Sequence, residues 1–171
     1  MFVVVTGPPG SGKTTLATAL AAEMRIPLFA KDAIKEVLMT VLLVPDVETS
    51  KKMGRAAIEI MYALASTASS GAVLESNFHR TISRSELQEL PGPVVEVFCR
   101  CDREVALARY RERSASRHPG HFDVLRTDDE LWHNQVTSPV GGGWPVVEAD
   151  TNNPIDVSAL VLRLGQLSES A

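Results

Sequence analysis

The chain has 171 residues, of which 44% are hydrophobic and 22% charged, and its formal net charge is −4. This length and composition predict one globular domain over residues 1–171 with a single large core. The negative net charge argues against a protein that coats nucleic acid or an anionic membrane, although residues 103–117 form a local basic stretch. No segment resembles a membrane span or a secretory signal, so we expect a cytoplasmic protein without a membrane partner.

The first part of the chain alternates short apolar runs with helical patterns. Residues 2–6 form a continuous β-branched run typical of a strand buried on both faces of a parallel sheet. A helix is predicted over 13–24, a strand over 26–30 and a second helix over 33–43. Asp32 immediately precedes that second helix, where it is suited to be the N-cap residue.

The same alternation continues to the end of the chain. We predict helices over 50–70, 83–90, 104–113 and 155–167, and strands over 72–75, 94–99 and 146–148. Strands that alternate with helices predict a three-layer α/β fold, with a five-stranded, mostly parallel sheet and helices on both faces. The glycine triplet 141–143 is interpreted as a mobile connection, and Cys99 and Cys101 as buried, reduced thiols.

The strongest motif lies between the first strand and the first helix. Residues 7–14 satisfy the pattern G-x-x-x-x-G-K-[ST] of a P-loop, which cradles phosphate oxygens with backbone N–H groups and a helix N-terminus. Lys13 is expected to reach the β- and γ-phosphates of ATP, and Thr14 to bind Mg²⁺. The residues expected to contact the nucleotide here are Gly7, Pro8, Pro9, Gly10, Ser11, Gly12, Lys13, Thr14 and Thr15.

These residues and three later motifs resemble a family of small P-loop kinases that includes chloramphenicol phosphotransferase, polynucleotide kinase and zeta-type toxins. The later motifs are Lys31-Asp32, Leu-Glu-Ser-Asn at 74–77, and the arginine series in 103–117. The resemblance covers most of the chain. It implies a fold similar to that of nucleoside monophosphate kinases, with an arginine-bearing lid at about 114–126.

The resemblance also implies roles for two carboxylates. Asp32 matches the aspartate that accepts the proton of the attacking hydroxyl, and a residue after the second strand can face a phosphate held after the first. Its alternative role is only that of a helix N-cap. Glu75 matches a residue that holds magnesium through water, although most of the family has aspartate there, and a purely structural role is the alternative.

Three further groups of residues complete the predicted site. Arg109, Arg113 and Arg117 recur every four residues and are expected to neutralise the transferring phosphoryl group when the lid closes; a solvated basic face is the alternative. The acceptor is expected to contact Asp32, Ser76, Asn77, Arg80 and Arg84; for the last four, the alternative is that they are solvated residues at the start of a helix. Asp150 and Thr151 are expected to pack against the nucleoside.

The leading hypothesis is an ATP- and magnesium-dependent kinase that phosphorylates a hydroxyl of a small molecule. A nucleic-acid 5′-hydroxyl kinase is the second enzymatic alternative, weakened by the acidic net charge. An ATP-dependent switch or assembly protein without transfer activity is the third. Neither the acceptor nor the oligomeric state is predicted by the sequence.

Overall fold

The computed structural model describes residues 1–114 and 116–169, and its centre is a five-stranded sheet. The strand order is β2-β3-β1-β4-β5, and all four pairings are parallel. The prediction of a mostly parallel sheet is thus confirmed, and every described strand pairing is parallel. The strands are β1 (Phe2–Thr6), β2 (Leu28–Ala30), β3 (Ala72–Glu75), β4 (Val94–Arg100) and β5 (Val146–Asp150).

Helices connect the strands. They are α1 (Lys13–Met24), α2 (Lys31–Val41), α3 (Val47–Thr67), α4 (Arg80–Gln88), α5 (Arg103–Ser114), α6 (Asp128–Leu131) and α7 (Val157–Glu169). Two short 3-10 helices, Pro119–His121 and Asp123–Leu125, lie between α5 and α6. No helix in the described part of the chain is long and apolar enough to cross a membrane.

Helices cover both faces of the sheet because the central strands are apolar on both sides. In β1, Val3 and Val5 pack on one face against α1 and α7, whereas Phe2 and Val4 pack on the other against α3 and α4. All of β1 is buried. This confirms the three-layer arrangement and puts the carboxyl end of β1, where the P-loop begins, at the centre of the molecule.

The structure corrects several element boundaries. Helix α2 begins at Lys31 and its N-cap is Ala30, so Asp32 lies within the first turn and is not the N-cap residue. Helix α3 begins at Val47, three residues before the predicted start, because the side chain of Asp46 accepts a hydrogen bond from the Thr49 N–H. Helix α6 was not predicted; a capping box between Thr127 and Glu130 stabilises its N-terminus.

The glycine triplet 141–143 is anchored, contrary to the expectation of a mobile connection. Glu96, fully buried in β4, accepts hydrogen bonds from the backbone N–H groups of Val140 and Gly141 and from Nε1 of Trp144. Its fourth donor is the hydroxyl of Thr6, at 2.7 Å. A satisfied buried carboxylate therefore fixes this connection to the sheet.

Candidate active site

The P-loop has a backbone conformation that requires glycine at three positions. Gly7, Gly10 and Gly12 have φ angles of 137°, 79° and 81°, which side chains disfavour. A Cβ atom added at Gly10 would collide with the carbonyl group of Ala106, and one at Gly7 would lie 2.8 Å from the Cys99 carbonyl oxygen. The loop is therefore held closely against β4 and α5, and only glycine fits.

Two polar side chains of the loop fit an anionic ligand. Lys13 is buried, and its Nζ donates a hydrogen bond to the Pro8 carbonyl at 2.9 Å. Burial lowers the pKa of Lys13, an effect that the nearby Glu75 carboxylate opposes. The hydroxyl of Ser11 is also buried and has no hydrogen-bond partner among the described residues. A phosphate group would offer both side chains the acceptors they lack.

Helix α1 strengthens this cradle. Its N-cap, Gly12, provides no side-chain hydrogen bond, and its first turn contains no acidic residue. The first backbone N–H groups and the positive end of the helix dipole are therefore directed at the loop without a competing carboxylate. Together with Lys13 and Ser11, this arrangement fits the phosphate groups of a nucleotide.

A hydroxyl and a carboxylate meet beside the loop. Oγ1 of Thr14 donates to Oε2 of Glu75 at 3.2 Å, and Glu75 is buried at the end of β3. Burial raises the pKa of Glu75, and the Lys13 ammonium opposes that rise. The described residues contain no group of three or more His, Cys, Asp and Glu side chains arranged to hold a metal ion by themselves. The pair still fits Mg²⁺, which keeps several water ligands and is completed by substrate phosphates in kinase sites.

Asp32 lines the same cleft as Lys13 and Thr14. Its Oδ1 pairs with Lys31 Nζ at 2.8 Å and its Oδ2 with Arg117 at 2.6 Å. Burial opposes ionisation of Asp32, but the two cations outweigh this effect and hold its pKa well below the usual range. Asp32 is therefore a carboxylate at neutral pH.

Arg117 joins the lid segment, residues 116–126, to α2. Besides Asp32, its guanidinium pairs with Asp123 at 2.7 Å and lies within 3.2 Å of both ring nitrogens of His121. The His121 ring also contacts Glu36 at 2.9 Å. Burial lowers the pKa of His121, and Arg117 reinforces this effect. These contacts hold the lid segment against the α2 carboxylates.

The three arginines of the predicted lid do not act as one face. Arg113 and Arg117 line the cleft, but Arg109 does not; it donates to the Thr151 carbonyl oxygen at 3.1 Å. Arg117 is not on the same helix face as the other two, because α5 ends at Ser114 and Arg117 is positioned by the segment that follows the helix. Arg103 and Arg111 are directed elsewhere and pair with Asp129 and Asp128.

The residues expected to contact the acceptor are divided between two places. Asn77 lines the cleft, whereas Ser76 is buried beside it and is not among the lining residues. Arg80 and Arg84 line a separate surface cleft and donate to the Ser138 hydroxyl and the Val140 carbonyl oxygen. The structure thus places both arginines outside the P-loop cleft, where they face residues 134–140.

Asp150 and Thr151 follow β5. Asp150 pairs with Arg100 at 2.8 Å and accepts hydrogen bonds from Asn152. Thr151 lies beside the P-loop, since a Cβ atom added at Gly12 would be 3.6 Å from the Thr151 Cβ. Of the P-loop residues, Pro9, Gly10, Gly12, Lys13 and Thr14 line the cleft, while Thr15 is exposed on α1.

The sequence interpretation missed several side chains that line the cleft. They are Lys35, Tyr110, His121, Asp123, Arg126 and Leu131. Lys35 shares a face of α2 with Asp32 and Lys31, so this spacing is the one signal that could have identified it. The others come from α5, the lid segment and α6, and only the tertiary structure brings them together.

The cleft has a free volume of about 80 Å³. This is well below the roughly 300–1,000 Å³ of pockets that enclose small ligands. The lid segment therefore has to move before a nucleotide and a second molecule can occupy the cleft together.

A parallel sheet of this strand order, with a glycine-lined phosphate cradle after its central strand and an arginine-bearing lid, defines a small P-loop protein of the kinase type. The family model described as "AAA domain" (AAA_33) matches residues 2–131. The chain belongs to this family. No protein of curated function matches the sequence.

Solved structures agree with this class. A presumed kinase from Chloroflexus aurantiacus j-10-fl has a TM-score of 0.86 and 32% identity, with 97% of each chain covered. A gluconokinase from Sinorhizobium meliloti 1021 has a TM-score of 0.61 at 21% identity, covering 99% of this chain and 94% of that one. A shikimate kinase from Bacteroides thetaiotaomicron has a TM-score of 0.64 at 18% identity, covering 99% and 98%. The last two establish similarity of fold alone.

Proposed function

We propose that this protein is an ATP- and magnesium-dependent kinase that transfers the γ-phosphate to a hydroxyl group of a small molecule. The observation that carries the proposal is the position of Asp32, which lines the P-loop cleft together with Lys13 and Thr14 and pairs there with Arg117. A phosphate cradle and a carboxylate that share one cleft are the minimum arrangement for transfer to a hydroxyl.

The nucleotide side of the site consists of the P-loop, Lys13, Thr14 and Glu75. The loop amides and Lys13 would hold the phosphates, and Thr14 and Glu75 would hold Mg²⁺, with water between Glu75 and the ion. Magnesium supplies charge neutralisation at the phosphate oxygens when it is bound. The buried ammonium of Lys13 would exchange its bond to the Pro8 carbonyl for one to a phosphate oxygen.

Asp32 is the residue proposed to act on the acceptor. As a carboxylate, it accepts a hydrogen bond from the acceptor hydroxyl and orients the oxygen toward the γ-phosphorus. The new O–P bond forms as the bond from the γ-phosphorus to the bridging oxygen breaks, and the hydroxyl proton passes to Asp32. A weakly basic carboxylate suits a loose transition state, because the proton leaves the hydroxyl late.

Arg117 has to release Asp32 before the carboxylate can accept the proton of the acceptor hydroxyl. In the structure its guanidinium occupies one carboxylate oxygen, at 2.6 Å. Anionic phosphate groups in the cleft would compete with Asp32 for this guanidinium, and Arg113 lines the same cleft. We propose that both arginines then neutralise the charge that develops on the transferring phosphoryl group.

A small acceptor is favoured over a nucleic acid. The net charge of −4 gives no general attraction to a phosphate backbone. The gluconokinase and shikimate kinase that share the fold also support a small-molecule acceptor. The free, buried thiols of Cys99 and Cys101 support a reducing, cytoplasmic location.

The test is incubation of the protein with γ-labelled ATP, magnesium and a fractionated metabolite extract. Label in a small hydroxylated molecule, absent from a parallel reaction with Asp32→Asn, is the expected result. ATP hydrolysis that no fraction accelerates, combined with ATP-dependent self-association, would instead favour a nucleotide switch. Label transferred to oligonucleotide 5′ ends, with strongly salt-dependent binding, would favour a nucleic-acid kinase.

A further inference from the structure

Lys35 is a buried cation that the proposed transfer step does not use. It lies on α2, one helical turn after Asp32, and lines the same cleft. Only 6% of the surface of Lys35 is exposed to solvent. Its Nζ donates to the hydroxyl of Ser50 at 2.8 Å, and no described carboxylate forms an ion pair with it.

This environment is costly for an ammonium group. Burial, reinforced by the charge of Lys31, lowers the pKa of Lys35 to about 8, so the group is still largely protonated at neutral pH. An ammonium group has three N–H donors, and Ser50 accepts only one. A buried charge normally has an ionic partner, and among the described residues this one has none.

The cleft as a whole has a surplus of positive charge. Six basic side chains line it but only three carboxylates, and the basic residues are Lys13, Lys31, Lys35, Arg113, Arg117 and Arg126. The charges that act on Lys13 include Glu75 and Arg113, on the nucleotide side. Those that act on Lys35 belong to α2 and the lid segment, namely Lys31, Asp32, Arg117 and Asp123. These two cations and two carboxylates balance, so the positive charge of Lys35 itself is left uncompensated on the side where Asp32 would orient the acceptor.

We infer that the acceptor is an anionic hydroxylated molecule whose carboxylate or phosphate group binds to Lys35. Its hydroxyl group would then lie against Asp32, one turn earlier on the same face of α2. Carboxylates and phosphates offer the same feature, a compact oxyanion that accepts charge-assisted hydrogen bonds. This inference rests on the proposed kinase function, since it names the class of molecule that the same site would phosphorylate.

Lys35 has an alternative role that the test must separate. The Ser50 hydroxyl that accepts from Lys35 also donates to the Gly120 carbonyl oxygen at 2.6 Å. Lys35 therefore also supports the lid segment through Ser50. A Ser50→Ala variant removes this connection but keeps the ammonium group, whereas Lys35→Gln removes the charge and can still hydrogen-bond to Ser50.

The experiment is a calorimetric titration of the ADP- and magnesium-saturated protein, in which nucleotide occupies the P-loop. The probes are inorganic phosphate, gluconate and, as a neutral control for gluconate, glucose. We expect both anions to bind and glucose to bind far more weakly. Lys35→Gln should weaken the binding of the anions by about tenfold or more, since it removes one partner of a buried charge pair. Lys52→Gln, which removes an exposed lysine of α3, and Ser50→Ala should both stay close to wild type.

Three outcomes of the titration would overturn the inference. They are failure of both anions to bind, equal binding to wild type and Lys35→Gln, and a loss in Ser50→Ala as large as that in Lys35→Gln, which would assign Lys35 to the lid alone. Labelling of a neutral acceptor in the metabolite experiment would also overturn it, while leaving the kinase proposal intact. Absence of any transfer would reject the kinase proposal, but the titration would still show whether the anion site exists.

Discussion

The carboxylate of Asp32 is held between two cations, Lys31 and Arg117, on the side of α2 that lines the P-loop cleft. Replacing it with asparagine keeps the shape but removes the proton acceptor. We expect Asp32→Asn to bind ATP as wild type does and to lose about 10²- to 10⁴-fold in transfer rate, the usual contribution of a general base. Single-turnover transfer and calorimetric ATP titration measure the two quantities.

The matched control for this substitution is Asp129→Asn. Asp129 is 96% exposed and pairs only with Arg103 on the surface, so its loss should leave both quantities unchanged. If Asp32→Asn transfers phosphate to the acceptor at the wild-type rate, Asp32 is not the base.

The buried ammonium group of Lys35 also leads us to expect a pH dependence of protein stability. This expectation does not require that the protein is a kinase. Its pKa is about 8 in the folded protein, below the usual 10.5. Between these values the unfolded chain binds more protons at this residue, so its contribution to the free energy of unfolding rises as the pH increases. We expect the Tm of wild type, relative to that of Lys35→Met, to increase from about pH 8 to about pH 10.5. Thermal unfolding of both proteins across this pH range measures the difference in Tm. A difference that stays constant with pH would contradict the prediction.

At the level of elements, Arg117 is the side chain that links the lid segment to Asp32. Arg117 is 11% exposed and bridges Asp32 of α2 and Asp123 of the lid. We expect Arg117→Ala to lower kcat far more than it raises the KM for ATP, because a lid arginine that contacts the transferring phosphoryl group contributes about 10³ to 10⁵ in rate. Steady-state kinetics with the identified acceptor measure both parameters.

Arg111→Ala is the appropriate comparison, since Arg111 lies on α5 and pairs with Asp128 outside the cleft. Its kinetics should match wild type. Limited proteolysis provides a second measurement, in which Arg117→Ala is cleaved faster within the lid segment because its contacts to α2 are lost. An unchanged kcat would remove Arg117 from the transfer step.

Strand β4 and the glycine connection depend on each other through Glu96. Replacing Glu96 with alanine leaves the buried donors of Thr6 and Val140, and the partly buried donors of Gly141 and Trp144, without an acceptor. Each unsatisfied buried group costs about 1–3 kcal/mol, so we expect a loss of at least about 3 kcal/mol in the free energy of unfolding. Urea unfolding measures this loss.

Glu148→Ala in β5 removes a carboxylate that is 60% exposed and should change the free energy of unfolding little. In Glu96→Ala, hydrogen exchange at the amides of Val140 and Gly141 should also accelerate. Exchange at the wild-type rate would mean that the connection is held by other contacts, such as the bond from Gln88 to the Gly142 carbonyl oxygen.

Across the whole molecule, the sequence predicted what depends on local periodicity and missed what depends on distant contacts. Strand β3 and helix α1 were predicted to the residue, because apolar runs and glycine breaks define them locally. Asp123 and Arg126 reach the cleft only through the packing of the lid segment, and no spacing in the sequence encodes that contact. The position of Arg117 was predicted as a lid residue, but its ion pair with Asp32 joins residues 85 positions apart and was not.

The P-loop joins the centre of the sheet to α1 and α5, so ligand binding there should stabilise the molecule as a whole. A ligand at 100 times its Kd stabilises the folded state by about 2.7 kcal/mol, which for a chain of this length raises Tm by about 5–10 °C. We expect this shift with ATP and magnesium and expect Lys13→Ala to lose most of it, because the buried ammonium group is the loop's only described cationic side chain. Lys52→Ala, at an exposed site, should keep the full shift. Differential scanning calorimetry needs no acceptor, so an absent shift in well-folded wild type would refute nucleotide binding itself, whatever the acceptor is.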